Sequence, residues 1–410
     1  MPKILITGNG FDLNFNLPTS YCDFIQILNY VEKNDVYDFD SIYSNSNNYI
    51  KIKSSFVNTL TFNKNEIDLL KSDIKDNLWF QFFKNELNIE TWIDFENKIN
   101  YVLRLLLNSI NIFNDKFFNR SPLGLKLLIY DSTVLNNKIE IINVLSFFQI
   151  ILKENDSSHS WSFLDKYLVK KYGYYTSIDI QKIVSFLNQQ LNNFKDIFNK
   201  YFSLFIIPLY EKNIEKPDVS LIKSINYYFT FNYTPTFEAL FKSTIKTNYL
   251  HGKINSDINS IVLGIDNIPD DTIDQIHYLP FTKYYQKLNN NTDYYFLDEI
   301  KNISKNSSMT NYEFYFWGHS LDHSDKDYIN EIFDFVTDSM SKIKSIKVIY
   351  HNEESKSKLL LNLLDIRGKN DIVSKMRKKE LVFLKADSKD VKIALNKSID
   401  IKIYSTPTIH

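Results

Sequence analysis

The sequence predicts an α/β protein: a discontinuous domain on a mostly parallel sheet, interrupted by a large helical insert. Three observations lead there. Short apolar runs alternate with helix-forming stretches at the N-terminus and again from residue 225 onward, the pattern of a parallel sheet covered on both faces. The stretch from about residue 31 to 221 carries long helical periodicity and few strand signals. Only eight glycines occur in 410 residues, and five of them sit in four polar motifs that each follow an apolar run: ITGNGFD with Gly8 and Gly10, YLHGK with Gly252, VLGID with Gly264 and FWGHSLD with Gly318. Scarce glycines mark places where backbone bends or approaches something closely, and strand-end loops carry function disproportionately. A site is expected where these strand ends meet.

The elements follow in order. Residues 3 to 7, KILIT, read as a first buried strand, and Thr19 or Ser20 with Asp23 resembles the capping signal of a helix beginning near Tyr21. Within the insert, Thr91 with Asp94 starts a helix through Glu96, Ile99, Leu103, Leu106 and Ile110, and residues 136 to 153 are expected to form another. Ile180, Val184, Leu187, Leu191, Phe194, Phe198, Tyr201 and Phe205 repeat at 4-3-4-3-4-3-4 until Pro208 is expected to stop the helix. Such a seam closes a bundle within its own chain or pairs two copies; the first is preferred, and a homo-oligomer stays open. From residue 225, INYYFTFN is expected as a strand ending at Asn232, TNYLHG as one ending at His251, and SIVLGID as one ending at Gly264. YEFYFWG ends at Gly318 before a helix through Tyr328, Ile329, Ile332 and Phe333; IKVIYHN is a last strand, followed by helix-forming SKLLLNLL. The boundaries expected are 1–30 with 222–410 for the sheet domain and 31–221 for the insert.

Composition excludes several classes. Hydrophobic residues make up 44% and charged residues 24%, which suits a folded globular chain and not a disordered one. The net charge of -1 leaves no global footprint for nucleic acid or an anionic membrane, and the basic runs at Lys166, Lys170 and Lys171 and at Lys375, Arg377, Lys378 and Lys379 read as solvated faces. A single cysteine, Cys22, rules out an intrachain disulfide and a multi-cysteine zinc site. The apolar run at the N-terminus is too short for a signal peptide, and the oily stretches at 141–152 and 201–210 are shorter than a membrane span. A soluble cytoplasmic protein is expected, with no membrane or nucleic-acid partner.

Candidate residues lie in the glycine motifs. Gly8-Asn9-Gly10 after a first strand reads either as a turn whose N–H groups approach a pyrophosphate or as a tight structural turn, since Leu13 stands where the dinucleotide fingerprint wants its third glycine. Asp12 could accept from a ribose hydroxyl or cap the turn. His251 sits beside Gly252 at a strand end, and histidine is suited to moving a proton near neutral pH. Asn232 ends a neighbouring strand with an uncharged amide fit to hold a sugar hydroxyl or a water. His319 and His323 have the i, i+4 spacing of a metal pair, with Asp322 and Asp325 nearby. No general-base Glu lies between them, so a sugar- or phosphate-facing loop is preferred and no metal is expected. Ser324 and Asp325 read as caps of the helix that follows. The aromatics, 15% of the chain, recur at helical spacing and read as core.

Taken in order, GNGFDLNFNLPTSYCDF, WIDFE at 92–96, TFNYTPTFE, YLHGKI, VLGIDN, FTK at 281–283 and FWGHSLDHSDKDYI resemble the bacteriophage abortive-infection AbiH family. That family in turn is similar to the Rossmann-like (sirtuin-like) fold of several bacterial anti-phage NAD-cleaving proteins. The resemblance implies that a glycine turn faces NAD+, here Gly8, Asn9 and Gly10 with Asp12 beyond. It implies that the strand-end asparagine, Asn232, positions the nicotinamide ribose and that the histidine before Gly252, His251, is the base. Gly318, His319, Ser320 and Asp322 fall in the later nucleotide-facing loop. Two departures stand out: one cysteine cannot build the four-cysteine zinc module of sirtuin deacylases, which disfavours deacylation, and the turn reads GNGFD in place of a GAG-type turn. The function implied is abortive infection by hydrolysis of NAD+ to nicotinamide and ADP-ribose, with NAD+ as substrate, no further cofactor, and a phage trigger of unknown nature as partner. A nucleotide- or phage-sensing module without turnover, and a metal-dependent nuclease on His319, His323, Asp322 and Asp325, are the alternatives.

Overall fold

KILIT carries three aliphatic residues in a row, and in the computed structural model Lys3–Thr7 forms a strand, β1, buried at every position. The structure describes residues 2–86, 89, 91–114, 126–128, 138–153, 160–214, 224–255, 261–268, 275–290, 296–298, 312–338 and 344–396. The chain divides into two compact units, Met1–Leu17 with Leu209–Lys253 and Asp293–His410, and Pro18–Pro208 with Ile254–Thr292.

The first unit is built on a six-stranded sheet. After β1 come β2 (Tyr227–Thr230), β3 (Thr247–Tyr249), β4 (Tyr312–Trp317), β5 (Lys344–Tyr350) and β6 (Leu381–Lys385). Their order is β3-β2-β1-β4-β5-β6 and every neighbouring pair is parallel. Thr7 stands opposite both Thr230 and Trp317, and Thr230 opposite Tyr249. The chain therefore leaves β1, β2, β3 and β4 level with one another on a single edge. Strands are added outward on one side of β1 and then, from β4, on the other. In open parallel sheets the crevice beyond the carboxyl ends, at such a reversal, is where ligands bind.

Both faces of the sheet are covered, which explains why its strands are apolar without alternation. Ile4, Ile6, Phe314, Phe316, Ile346 and Val348 pack with residues of the helices Lys326–Asp338 and Glu353–Arg377. Leu5, Tyr228, Tyr315, Trp317 and Ile349 pack on the opposite face with the helices Thr236–Phe241 and Lys389–Asn396. The last strand and its helix were not anticipated from the sequence.

The second unit is mainly helical. Ser20 and Thr91 each close a capping box, with Asp23 and Asp94, at the starts of Tyr21–Lys33 and Trp92–Phe113. The 4-3 seam on Ile180–Tyr201 is buried from Val184 to Phe205, and its Phe194 stacks on Phe95 and meets Phe24 and Phe83 edge-on. This seam packs inside its own chain.

Four expectations need correction. Pro208 does not end the helix: Phe202–Ile206 widens into a π turn and Ile207–Glu211 continues, because a widened turn relieves the clash between a proline ring and the carbonyl behind it. The helix expected over 136–153 spans Lys138–Phe147, and Ile151–Lys153 is a strand; Gln149 at φ 54° breaks the run. Residues 136 and 137 lie outside the described residues. The stretch expected to be helical also holds a three-stranded antiparallel sheet and the hairpin Leu168–Lys171 with Tyr174–Ile178, short strands that longer helical periodicity conceals. SIVLGID is not a strand of the large sheet. Its Ile265 forms one isolated bridge with Thr282 in the second unit, and a Cβ on Gly264 would lie 2.1 Å from the Phe281 carbonyl oxygen.

Among the described residues no helix is long and apolar enough to cross a membrane.

Candidate functional site

The ladder of the sheet runs slightly past its strands: the Phe231 N–H donates to the Thr7 carbonyl and the Leu250 N–H to the Thr230 carbonyl. This extension delivers Phe231, Asn232 and His251 to the edge where β1 and β4 also end.

Between β1 and β4 the two glycine turns interlock. Gly8 N–H donates to Trp317 O at 3.2 Å and Gly10 N–H to Gly318 O at 2.8 Å, while Phe11 N–H turns back to Gly8 O. Gly318 has φ 68°, and a Cβ there would stand 2.1 Å from Phe11 N; one on Gly8 would stand 2.7 Å from His319 Cα. These glycines are explained by backbone packing against backbone. The N–H groups of Gly8 and Gly10, expected to face a pyrophosphate, are spent within the protein.

Behind the turn lies a buried polar chain. Asn232 Nδ2 donates both of its protons, to Gly8 O and to Asp12 Oδ1, each at 3.0 Å. Thr234 Oγ1 donates to Asp12 Oδ2 at 2.5 Å, and Thr236 Oγ1 donates to Thr234 Oγ1. Asp12 is 1% exposed. Burial pushes its carboxyl up to about 6, against the downward pull of the hydrogen bonds from Thr234, Thr236 and Asn232.

Two histidines arrive from opposite flanks. His251 follows β3, and Gly252 at φ 87° turns the chain away; His319 follows Gly318 at the end of β4. Asp325, in the short helical turn His323–Asp325, stands between them, with Oδ1 3.2 Å from His251 Nε2 and Oδ2 3.2 Å from His319 Nε2. All three are buried. The His251 approach is at ion-pair distance without hydrogen-bond alignment. His319 Nδ1 accepts the Leu321 N–H at 2.9 Å, so the proton of its neutral ring belongs on Nε2, facing Asp325. Leu321 is fully buried and holds φ 53°, a conformation that costs a non-glycine residue about 1–3 kcal/mol and clusters at functional sites. Here it aims the N–H that sets the His319 tautomer. The Phe231 ring centroid lies 4.1 Å from that of His319 and 5.2 Å from that of His251, an apolar wall shared by both imidazoles.

The structure thus brings Gly8, Gly10, Asp12, Asn232, His251, Gly252, Gly318 and His319 to one edge of one sheet. Ser320 is exposed, with its carbonyl accepting from Asn362 Nδ2. Asp322 caps the short turn His323–Asp325 by accepting the Ser324 N–H. The His319–His323 pair does not assemble: His319 is buried toward Asp325 and His323 is exposed, because His319 precedes the helix and i, i+4 spacing aligns side chains only within one. Among the described residues no cluster of three His, Cys, Asp or Glu side chains is arranged to hold a metal ion.

Sequence reasoning missed Asp325 as the link between the histidines and Thr234 as the anchor of Asp12. Thr234 had a signal in the polar TFNYT segment; Asp325 had none, since its role needs two strands far apart in the chain. WIDFE and FTK meet elsewhere, in the second unit, where the buried Lys283 Nζ and the partly buried Glu96 Oε2 form a pair at 2.7 Å.

A parallel α/β unit with histidines and a carboxylate gathered at the carboxyl edge of its sheet is the class defined so far. A family model for bacteriophage abortive infection AbiH matches residues 4–346. That span runs from β1 into β5, and the chain belongs to this family, which points to abortive infection as its biological setting. No curated protein and no solved structure matches the chain.

Proposed function

We propose that the protein acts in anti-phage abortive infection by hydrolysing NAD+ to nicotinamide and ADP-ribose at the edge formed by Asn232, His251, His319 and Asp325. The observation that carries this reading is the approach of Asp325 to His251 at the carboxyl edge of a sheet ordered β3-β2-β1-β4-β5-β6, the edge on which Asn232 also stands. That strand order is the one used by Rossmann-like dinucleotide-binding folds, and we read the unit as a member of that group with a sirtuin-like site.

Cleavage of the bond between nicotinamide and ribose develops positive charge on the sugar, as in other glycosidic hydrolyses. Water adds to the anomeric carbon, nicotinamide departs with the bonding electrons, and the water's proton goes to His251. The Asp325 carboxylate, 3.2 Å from His251 Nε2, stabilises the imidazolium that results, and its second oxygen is held by His319. Asn232 presents its Oδ1 to the sugar. Phe231 limits stray water. The chemistry assigns no role to a metal, so a chelator is expected to leave the rate unchanged. NAD+ is a cytoplasmic pool, and its loss would halt an infected cell.

The test is incubation of the purified protein with NAD+, with and without chelator, followed by chromatography of the products beside His251→Ala and Asn232→Ala. Nicotinamide and ADP-ribose from wild type alone support the assignment. Intact NAD+ in the tube together with steady NAD+ in phage-infected cells expressing the protein would overturn it in favour of a sensing module that binds without turnover.

A further inference from the structure

The hydrogen bonds around Asn232 select the kind of group it can meet. Its amide protons face Gly8 O and Asp12 Oδ1, both at 3.0 Å. A backbone carbonyl only accepts, and an ionised carboxylate only accepts. The amide orientation is therefore determined: turning it over would set Oδ1 against two oxygens. What Asn232 offers a ligand is an acceptor.

Asp12 is held for this task. Its second oxygen takes the Thr234 hydroxyl at 2.5 Å, and Thr234 is in turn steadied by Thr236, whose own hydroxyl is bonded to Tyr210. A carboxylate this deeply buried costs stability even with these donors, and the raised Asp12 pKa is the sign of that cost. The adjoining turn matches in polarity: of the four N–H groups from Gly8 to Phe11, those of Gly8, Gly10 and Phe11 are already bonded within the protein. A pyrophosphate would find few donors here and a carboxylate beneath.

We infer that Asp12 is a positioning residue that locks Asn232 as a hydrogen-bond acceptor, so that this end of the site takes a hydroxyl-bearing sugar and not the diphosphate of the nucleotide. The inference rests on the NAD+ reading above and deepens it by assigning which part of the substrate meets the glycine turn. Asp12 touches no substrate. It acts through Asn232.

The probes are NAD+ and the analogues lacking the 2′- or the 3′-hydroxyl of the nicotinamide ribose, with KM and kcat measured for each. Wild type is expected to prefer NAD+ over at least one deoxy analogue by tenfold or more, because a site built to bond a hydroxyl rejects the analogue lacking it. Asp12→Asn keeps the shape but lets the pair of amides reorient, so that preference should fall to within about threefold. Thr234→Val, which loosens the carboxylate while leaving it in place, is the second variant should Asp12→Asn fail to melt cooperatively, and should lose most of the preference. A merely structural Asp12 would lower all three rates in proportion and leave their ratio unchanged; that result overturns the inference while the NAD+ reading stands. Equal rates for all three substrates with wild type would do the same. If wild type cleaves none of them in the tube and NAD+ stays intact in infected cells, the NAD+ reading itself falls and carries the inference with it.

Discussion

Asp12→Asn should stabilise the protein at neutral pH, and the amount follows from the structure. The Asp12 carboxyl ordinarily titrates at 3.8 and burial raises it to about 6 in the fold. A folded-state value above the unfolded one means that the native protein holds a proton the unfolded chain has lost. Stability then falls as pH rises through the window from about 4 to 6, and the full cost is present above it. A shift of about two units is worth about 3 kcal/mol. Asparagine cannot ionise, so the cost disappears, while the Thr234 hydroxyl loses its carboxylate acceptor, an interaction worth about 1 kcal/mol. The net gain is about 2 kcal/mol above pH 7, which is about 4–8 °C in melting temperature at the roughly 2–4 °C per kcal/mol that applies to units of 150–250 residues.

Thermal melts of wild type and Asp12→Asn at pH 4.5 and 7.5 test this. At pH 4.5 only about 1 kcal/mol of the cost remains and the lost hydrogen bond cancels it, so the two proteins should melt together. At pH 7.5 the variant should melt higher. A variant that is less stable at pH 7.5, or whose advantage is the same at both pH values, would refute the claim that Asp12 is retained as a buried charge at a cost to the fold. Coupled with lost discrimination at the sugar, the gain would mark a site where function opposes stability.

The remaining predictions concern the edge and the second unit. His251→Ala and Asp325→Asn should each reduce NAD+ turnover by about a hundredfold or more, the usual contribution of a positioned base, with melting temperatures near wild type; turnover within a few-fold of wild type in both would remove the His–Asp pair from the mechanism. Gly318→Ala should fail to accumulate as folded protein or lose more than about 3 kcal/mol, since its Cβ would lie 2.1 Å from Phe11 N at φ 68°, whereas a near-normal melt would mean the two turns can part. Lys283→Ala should cost about 1–3 kcal/mol by removing the ammonium that bonds the partly buried Glu96 carboxylate at 2.7 Å, and adding Glu96→Gln should restore part of that loss; additive losses in urea unfolding would show that the pair is not coupled.

Much of the first unit was legible in the sequence because buried parallel strands are short apolar runs with polar ends. β1 has the bounds that KILIT predicts, β2, β3 and β4 lie within the runs that predict them, and β5 begins two residues before IKVIYHN and ends two residues short of its end. β6, with its half-buried Leu381–Lys385, lacked a glycine motif behind it and passed unnoticed. SIVLGID looked like another strand end and is not one, since an apolar run followed by glycine describes any close backbone approach, and here the approach is to Phe281. The helix starts at Ser20 and Thr91 were readable because a capping box spans only four residues.

The sequence by itself determined which residue types stood at the strand ends: Asp12 after β1, Asn232 after β2, His251 after β3, His319 after β4. Each of these is a local fact, set by a few neighbouring residues. Which of them touch was decided only by the tertiary structure. Asp325 reaches His251 from 74 positions away, and Asn232 bonds Gly8 and Asp12 across more than two hundred residues. These contacts exist because the sheet places β3, β2, β1 and β4 side by side in an order that the chain does not follow, and hydrogen bonds depend on distance in space and not along the chain.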